Sequence, residues 1–140
     1  MKKIIPITSV FLLIALSVFS QAAEIELSLQ HKNGGSLSDG TRMATGRILC
    51  RDSHSGFYVW MNAQKAEVQS AHYIIKGQLN NQHEMRVRLS GDGWYPSTTG
   101  EHNGIVKIGR DENAIFDILI DGNQNVTPDR YTLSLSGVCI

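Results

Sequence analysis

The side chains that could do chemistry are thinly spread along this chain. No two of its five histidines stand at the spacing of a metal-binding motif, so they are interpreted as surface or turn residues. The run DGNQN at 121–125 resembles the start of an EF-hand loop, but Val126 replaces the required glycine and Thr132 the required glutamate. The histidines are His31, His54, His72, His83 and His102. The sequence therefore predicts no metal site and no cofactor.

No common catalytic motif occurs in the sequence either. It contains no Gly-x-Ser-x-Gly nucleophile elbow, no phosphate-binding loop and no dinucleotide-binding fingerprint. Several carboxylates could in principle form an acid–base pair, but nothing in the sequence selects two of them. They are Asp92, Asp111, Glu112 and Asp117. These observations predict that the chain is not an enzyme.

Two neighbouring aromatic residues, Trp94 and Tyr95, stand in the glycine-flanked stretch 91–100. In an exposed loop such rings could stack on a sugar or bind a receptor protein. Alternatively, they could cover the end of a β-sandwich. Both interpretations stay open, and the stretch is a candidate receptor-binding loop.

The first 22 residues have the three parts of a secretory signal peptide. Lys2 and Lys3 form the basic start, an apolar run follows at residues 7–19, and small residues precede the cleavage point. The run is shorter than the roughly 20 residues of a membrane-spanning helix, which argues against an anchor. Residues 23–140 then form one domain, whose formal charge changes from 0 to about −2 without the two lysines. This charge balance argues against binding to nucleic acid.

Cys50 and Cys139 are the two cysteines of the chain. The predicted signal peptide looks bacterial, and export would bring the chain to the oxidising periplasm, so we predict that the two cysteines form one disulfide bond. A role as free thiols is the alternative.

Alternation of apolar and polar residues predicts short β-strands along the whole domain. We expect strands at residues 23–30, 45–51, 57–61, 72–76, 84–89, 105–108, 114–120 and 130–140, and either a short helix or a loop at 64–70. Strands of this number and spacing, without a long helix, predict an all-β, immunoglobulin-like sandwich. The spacing of Cys50 and Trp60 fits such a domain, whereas Tyr131 lies too far before Cys139 for an antibody-type tyrosine corner.

The last predicted strand presents Tyr131, Leu133 and Leu135 on one face. A strand with a buried face needs a neighbour on each side or a protected edge. No sequence follows that could supply this neighbour. We therefore expect the sandwich to lack its final strand.

Four runs of sequence resemble the Afa/Dr and aggregative adherence fimbriae, and among their proteins the minor tip subunit known as the invasin. The runs are ATGRILCR at 44–51, GFYVWMN at 56–62, GDGW at 91–94 and DGNQN at 121–125. The resemblance implies an incomplete immunoglobulin-like sandwich, assembled through the chaperone–usher pathway and completed by a donor strand. It implies a fimbrial tip adhesin or invasin that mediates attachment to, or entry into, host cells.

The same resemblance implies the partners and the location of the chain. The partners would be a periplasmic chaperone, an outer-membrane usher, the major fimbrial subunit that donates the strand, and a host cell-surface receptor such as an integrin. The chain would be exported to the periplasm and then reach the fimbrial tip or the bacterial cell surface.

We expect the donor strand to lie in a groove between the first and the last strand. The edges of this groove would present six apolar side chains, which are Ile25, Leu27, Leu29, Tyr131, Leu133 and Leu135. We expect no donor extension before residue 25 in the mature chain, as in a subunit at the tip of a fibre. Alternatively, residues 25–29 are themselves a donor strand, with residues 33–35 as the hinge and residues 36–44 as the first strand.

The sequence thus favours an adhesive fimbrial subunit over two rival hypotheses. One rival is a free periplasmic binding or inhibitor domain with a complete fold, and the other is a small secreted enzyme. A complete fold should purify as a stable monomer. An incomplete fold should aggregate, exchange strands or need a chaperone.

We predict export with cleavage before Ala23 or Glu24, because the chain begins with a basic end, an apolar run and small residues in that order. Mass spectrometry of the periplasmic protein measures the new N-terminus. A protein that still carries Met1 or Phe19 would refute the signal peptide.

Overall fold

A computed structural model describes residues 23–29, 35–66, 70–97 and 102–140. These residues form twelve β-strands and no helix, so no helix long and apolar enough to cross a membrane is found among them. The strands are β1 (Glu24–Leu29), β2 (Gly35–Leu37), β3 (Arg42–Leu49), β4 (Gly56–Met61), β5 (Gln64–Lys65), β6 (His72–Lys76), β7 (Glu84–Ser90), β8 (Tyr95–Pro96), β9 (Ile105–Ile108), β10 (Asn113–Ile120), β11 (Gln124–Val126) and β12 (Leu135–Cys139). The predicted signal peptide and His31 lie outside the described residues.

The strands form two main sheets with antiparallel pairing throughout. The larger sheet has six strands in the order β1-β3-β10-β7-β6-β5, and the smaller has four in the order β12-β4-β9-β8. A short ribbon of β11 and β2 accompanies them. Alternation along β10 shows why these residues form strands, since Phe116 and Ile118 turn inward while Ile115 stays exposed.

The core lies between the inner faces of the two main sheets. Ile48 and Phe116 of the six-stranded sheet belong to one buried cluster with Phe57 and Val59 of the four-stranded sheet. Each of these side chains is at most 1% exposed. The arrangement confirms the prediction of an all-β, immunoglobulin-like sandwich.

A disulfide bond joins the two sheets. Cys50 directly follows β3 of the larger sheet, and Cys139 ends β12 of the smaller one. Their sulfur atoms are bonded, with the Cα atoms 5.9 Å apart. The predicted pairing is confirmed.

Several predicted strand bounds need correction. The second predicted strand starts earlier than expected, since β3 begins at Arg42 and ends before Cys50. The stretch 64–70 contains a two-residue strand, β5, which pairs with β6, although residues 67–69 lie outside the described residues. β4 lies between β12 and β9 in its sheet, and Tyr58 and Trp60 on its outer face are only half-buried.

The prediction of one strand from residue 130 to residue 140 is wrong in its first half. β12 covers only Leu135–Cys139, and its first partner is Met61, the last residue of β4. Residues 131–133 lie beyond the end of β4, so no strand of that sheet stands opposite them. Tyr131 and Leu133 therefore lead into the strand without belonging to it.

β1 pairs with β3 of its own chain in continuous register, from Glu24 opposite Leu49 to Leu29 opposite Ala44. This pairing makes β1 the first strand of the sandwich. The alternative in which residues 25–29 are a donor strand for another subunit is not the arrangement of this structure.

Replacing both cysteines with serine should lower the free energy of unfolding by about 4–5 kcal/mol, because the bond closes a long loop and removes entropy from the unfolded chain. The two cysteines are separated by 89 residues in the sequence. Urea denaturation of the Cys50→Ser/Cys139→Ser variant measures the loss, with the exposed Ser53→Ala as the control. A loss below about 1 kcal/mol would show that the bond adds little to stability.

Candidate functional site

β1 is an edge strand of the six-stranded sheet, and β12 is an edge strand of the four-stranded sheet. These two edges lie on the same side of the sandwich. In the described part of the chain, β1 pairs only with β3 and β12 pairs only with β4. Glu24 lies opposite Leu49, next to Cys50, and Cys50 is bonded to Cys139, so the start of β1 lies near the end of β12. The two edge strands therefore run in opposite directions along the open side of the sandwich.

The edges approach each other at the disulfide end. A Cβ atom added to Gly137 of β12 would lie only 2.9 Å from Cδ1 of Ile25 and 2.8 Å from Cδ1 of Ile48. The missing side chain of Gly137 thus lets β1 come close to β12 there. The region where Ile25 approaches Gly137 is called the closed end, because a groove opens between the two edge strands farther along.

An open groove of about 420 Å³ lies at the other end of the two edges. Its lining residues come from β1, β3, β7 and the segment that leads into β12, and they are Leu27, Leu29, Met43, Met85, Arg130, Tyr131, Thr132 and Leu133. Leu29 is 70% exposed although it stands on this apolar lining.

Incomplete burial is concentrated along this groove and the two edge strands. Seven apolar residues of the described chain contact the core but are only partly buried, which are Ala23, Ile25, Leu27, Ala63, Leu133, Leu135 and Cys139. All but Ala63 lie in or next to β1 and β12. A well-packed sandwich covers such residues with a neighbouring strand, so this side of the core is incompletely covered.

The structure brings four of the six predicted groove residues together. Leu27, Leu29, Tyr131 and Leu133 line the open groove, whereas Ile25 and Leu135 lie on the edge strands outside its lining. Sequence reasoning missed four further lining residues, which are Met43, Met85, Arg130 and Thr132. The alternation of Met85 along β7 marked it as inward-facing, but its nearness to β1 depends on the strand order.

The side chain of Tyr131 is held in place by a backbone carbonyl group four residues upstream. Its side chain is 5% exposed, and its hydroxyl donates a hydrogen bond to the carbonyl oxygen of Thr127. Burial, together with the nearby Asp129 carboxylate, raises the pKa of Tyr131, which keeps this hydroxyl protonated. The bond to a residue four positions upstream resembles a tyrosine corner, although the distance to Cys139 differs from that in antibody domains.

A buried carboxylate holds the same segment to the turn between β6 and β7. The side chain of Asp129 is 0% exposed and accepts hydrogen bonds from the backbone amides of Leu79 at 2.9 Å and Asn80 at 3.1 Å. It also accepts bonds from its neighbour Arg130 N–H and from His83 Nδ1 at 2.9 Å. Burial alone would raise the pKa of Asp129, but these four bonds lower it to about 2.

Of the two interpretations of Trp94, the structure favours the one in which the ring covers the sandwich over the one in which it is exposed for a receptor. Trp94 is 7% exposed, donates its indole N–H to the carbonyl oxygen of Ile115 at 2.8 Å, and packs edge-on against Phe116. A large ring with a satisfied polar group is favoured in the core, so Trp94 covers the sandwich. Tyr95, in contrast, is 66% exposed and stands opposite Val106 in the four-stranded sheet.

The other tryptophan, Trp60, does not pack against the disulfide bond as the buried tryptophan of an antibody domain does. Trp60 lies on the outer face of β4 and stacks on His102, with ring centroids 3.9 Å apart and planes within 5° of parallel. The neighbouring Tyr58 has a buried hydroxyl without a hydrogen-bond partner among the described residues. Trp60 therefore belongs to a half-buried aromatic cluster, not to the packing around the disulfide.

Two further polar contacts join residues that are distant in the sequence. His72 Nδ1 lies 2.7 Å from Asp121 Oδ2, and Arg88 contacts Asp39 at 2.6 Å. No three His, Cys, Asp or Glu side chains in residues 23–29, 35–66, 70–97 and 102–140 are grouped as metal ligands. A polar depression of about 250 Å³ near the disulfide has an exposed charged lining, formed by Arg51, Asp52, Arg110 and Glu112.

A protein-family model described as Enterobacteria AfaD invasin protein matches residues 33–137. Among curated proteins, Protein AfaD of Escherichia coli is 39% identical over 139 residues, which cover 99% of this chain and 94% of that protein.

Solved structures show the same similarity. The E. coli Hda pilus minor tip subunit, HdaB, is 39% identical with a TM-score of 0.79, over 84% of this chain and 82% of that chain. A structure from work on fibronectin binding and biofilm formation by the AAF fimbriae of enteroaggregative E. coli is 43% identical. Its TM-score is 0.77, over 84% of this chain and 88% of that chain.

Acid should destabilise the protein through Asp129. Its pKa of about 2 in the folded chain lies below the ordinary value of 3.8, so the ionised carboxylate stabilises the fold above pH 3.8. This stabilisation should be lost as the pH falls through about 2. Denaturation between pH 5 and pH 2 measures it.

Asp129→Asn should lower stability at pH 5 and weaken its dependence on pH below 4, whereas the exposed Asp92→Asn should leave both unchanged. An Asp129→Asn variant with the pH dependence of the original protein would contradict the role of this carboxylate.

Proposed function

The chain belongs to the Enterobacteria AfaD invasin protein family, and on this premise we propose that it is a minor tip subunit of a chaperone–usher fimbria. Its role is attachment to host cells or entry into them. The similarity to the minor tip subunit of the Hda pilus supports this position in the fibre. The groove between β1 and β12 supports the mode of assembly.

The observation that carries the proposal is the half-covered apolar surface along the two edge strands. Ile25, Leu27 and Leu135 contact the core but are only partly buried. The backbone groups on the groove sides of β1 and β12 have no strand opposite them in the described chain. An inserted strand supplies both missing elements at once, as in β-strand addition.

The donor strand would lie between β1 and β12 and complete the four-stranded sheet. Its backbone would form hydrogen bonds with the edges, and its alternate side chains would fill the open groove next to Leu29 and Leu133. Each Å² of apolar surface covered in this way contributes roughly 25 cal/mol. Insertion requires Ile25 to move away from Gly137 at the closed end.

The proposed partners follow from this assembly. A periplasmic chaperone would cover the groove first, an outer-membrane usher would receive the subunit, and the major fimbrial subunit would then donate the strand. Export to the periplasm precedes these steps, and the final location is the fimbrial tip or the cell surface. Fibronectin is a candidate host ligand, because the AAF structure comes from work on fibronectin binding by those fimbriae. An integrin is the other candidate, and it rests on the sequence resemblance alone.

Tyr95 is the residue of the predicted receptor loop that stays available for a host ligand. It is 66% exposed at the edge of the four-stranded sheet, on β8. Trp94 is buried directly before β8, so it is not proposed as a receptor contact.

Fusing the N-terminal extension of the major subunit after Ile140, through a short turn, should raise the melting temperature by about 10 °C or more. The reason is that the fused strand covers the groove and pairs with both edges. Leu133→Asp should abolish the gain, because a carboxylate without a partner would be buried under the donor. The matched control Ile108→Asp, at a 71% exposed position outside the groove, should keep it.

Calorimetry and sedimentation of the fused and unfused proteins decide between the fimbrial subunit and the free binding domain. If the unfused chain is already a cooperative monomer and the fusion adds no stability, the fold is complete. The fimbrial proposal would then lose its physical basis.

A further inference from the structure

The turn between β6 and β7 presents a leucine to solvent. We define residues 77–83 as the rim turn. Leu79 on this turn is 81% exposed, the highest value among the large apolar side chains that are exposed in the described chain. A single exposed leucine is ordinary on a protein surface. Its significance here comes from how the turn is held and from what lies beside it.

The rim turn is fixed by a buried carboxylate. Asp129 accepts the backbone N–H groups of Leu79 and Asn80 and a bond from His83, which closes the turn on both sides. Gly77 makes room for this contact, since a Cβ atom there would lie 2.2 Å from Asp129 Oδ2. Burying a carboxylate is costly unless several hydrogen bonds satisfy it. The hydrogen bonds of Asp129 therefore both offset this cost and hold the rim turn in one conformation.

The rim turn is also joined to the wall of the groove. The amide of Gln78 donates to the carbonyl oxygen of Arg130 at 3.0 Å, and its side-chain Nε2 donates to Thr132 Oγ1 at 2.7 Å. Arg130 and Thr132 both line the open groove. Leu79 is therefore held at a fixed position beside the open end.

We take the donor strand to run antiparallel to β12, as every strand pair in the described chain does, and this direction puts its parent subunit at the open end. A strand that extends the four-stranded sheet antiparallel to β12 runs from Cys139 towards Tyr131, because β12 runs towards Cys139. When the donor is an N-terminal extension, the chain that follows it leaves the groove beside Tyr131. The folded body of the donating subunit then begins next to the rim turn.

We propose that the rim turn is a docking surface for the body of the strand-donating subunit, with Leu79 as its apolar centre. This inference rests on the proposed function, since it assumes a donor strand in the groove. Residues 77–82 carry no charge, and Gln78, Asn80 and Gln82 surround Leu79 in sequence with amide groups. The matching surface is an apolar patch bordered by uncharged hydrogen-bonding groups, the usual arrangement of a protein interface.

Comparing two donors separates the rim turn from the groove. One donor is a synthetic peptide with the sequence of the major subunit's N-terminal extension. The other is the whole major subunit with that extension free and its own groove filled by a fused strand. Each is bound to the full mature chain, and the rate of its displacement by excess unlabelled peptide is measured.

Leu79→Asp should speed displacement of the whole subunit by about tenfold, because a docking contact is lost. It should leave displacement of the peptide unchanged. Leu79→Gln, which keeps the size of the side chain, should have a smaller effect in the same direction. The control Ile108→Asp, also at an exposed position but near the closed end, should change neither rate.

Each other outcome overturns a defined claim. Equal rates for the original protein and Leu79→Asp with the whole subunit would refute the docking surface and leave the groove intact. If Leu79→Asp speeds displacement of the peptide and of the whole subunit equally, the substitution weakens binding of the donor strand in the groove. That result would also refute the docking surface. If the peptide does not bind the original protein, the proposed function itself fails.

Discussion

The absence of a strand between β1 and β12, in the part of the chain that the structure describes, is the constraint on which the other features depend. Two edge strands of different sheets face one another, with their inner side chains half-covered and one side of each backbone unpaired. Such edges are sites for pairing with another chain. In an isolated protein this is a liability, whereas in a fibre subunit it is the means of assembly.

Contacts at both ends of β12 keep this strand in place, although only one of its two sides is paired with another strand in the described chain. At the closed end, the disulfide attaches Cys139 to the residue that follows β3. At the open end, Asp129 and Tyr131 fasten the lead-in segment to the rim turn and to Thr127. These contacts keep the groove wall in place before any donor arrives. A preformed β12 wall loses less conformational entropy when it binds a strand.

The sequence predicted the elements whose signals are local. Alternation located β1, β6, β7 and β10, and two cysteines in an exported chain sufficed for the disulfide. The errors came from partners distant in sequence. Residues 131–133 alternate like a strand but have no strand opposite them, because β4 ends at Met61. The sequence shows that residues 60 and 94 are tryptophans but not which residues they contact. Trp94 donates to the carbonyl oxygen of Ile115, whereas Trp60 stacks on His102. The support by Asp129 joins residues 46 to 50 positions apart, beyond any local pattern.

The most direct measurement of the central claim is amide hydrogen exchange of the mature chain with and without the donor peptide. Without it, groove-side amides in Glu24–Leu29 and Leu135–Cys139 should exchange much faster than those of the central strands Arg42–Leu49 and Asn113–Ile120. With the peptide, protection of the two edge strands should rise by about tenfold or more, since the donor pairs with both. Edge strands that are already as protected as the central ones, and that do not respond to the peptide, would contradict an incomplete sandwich.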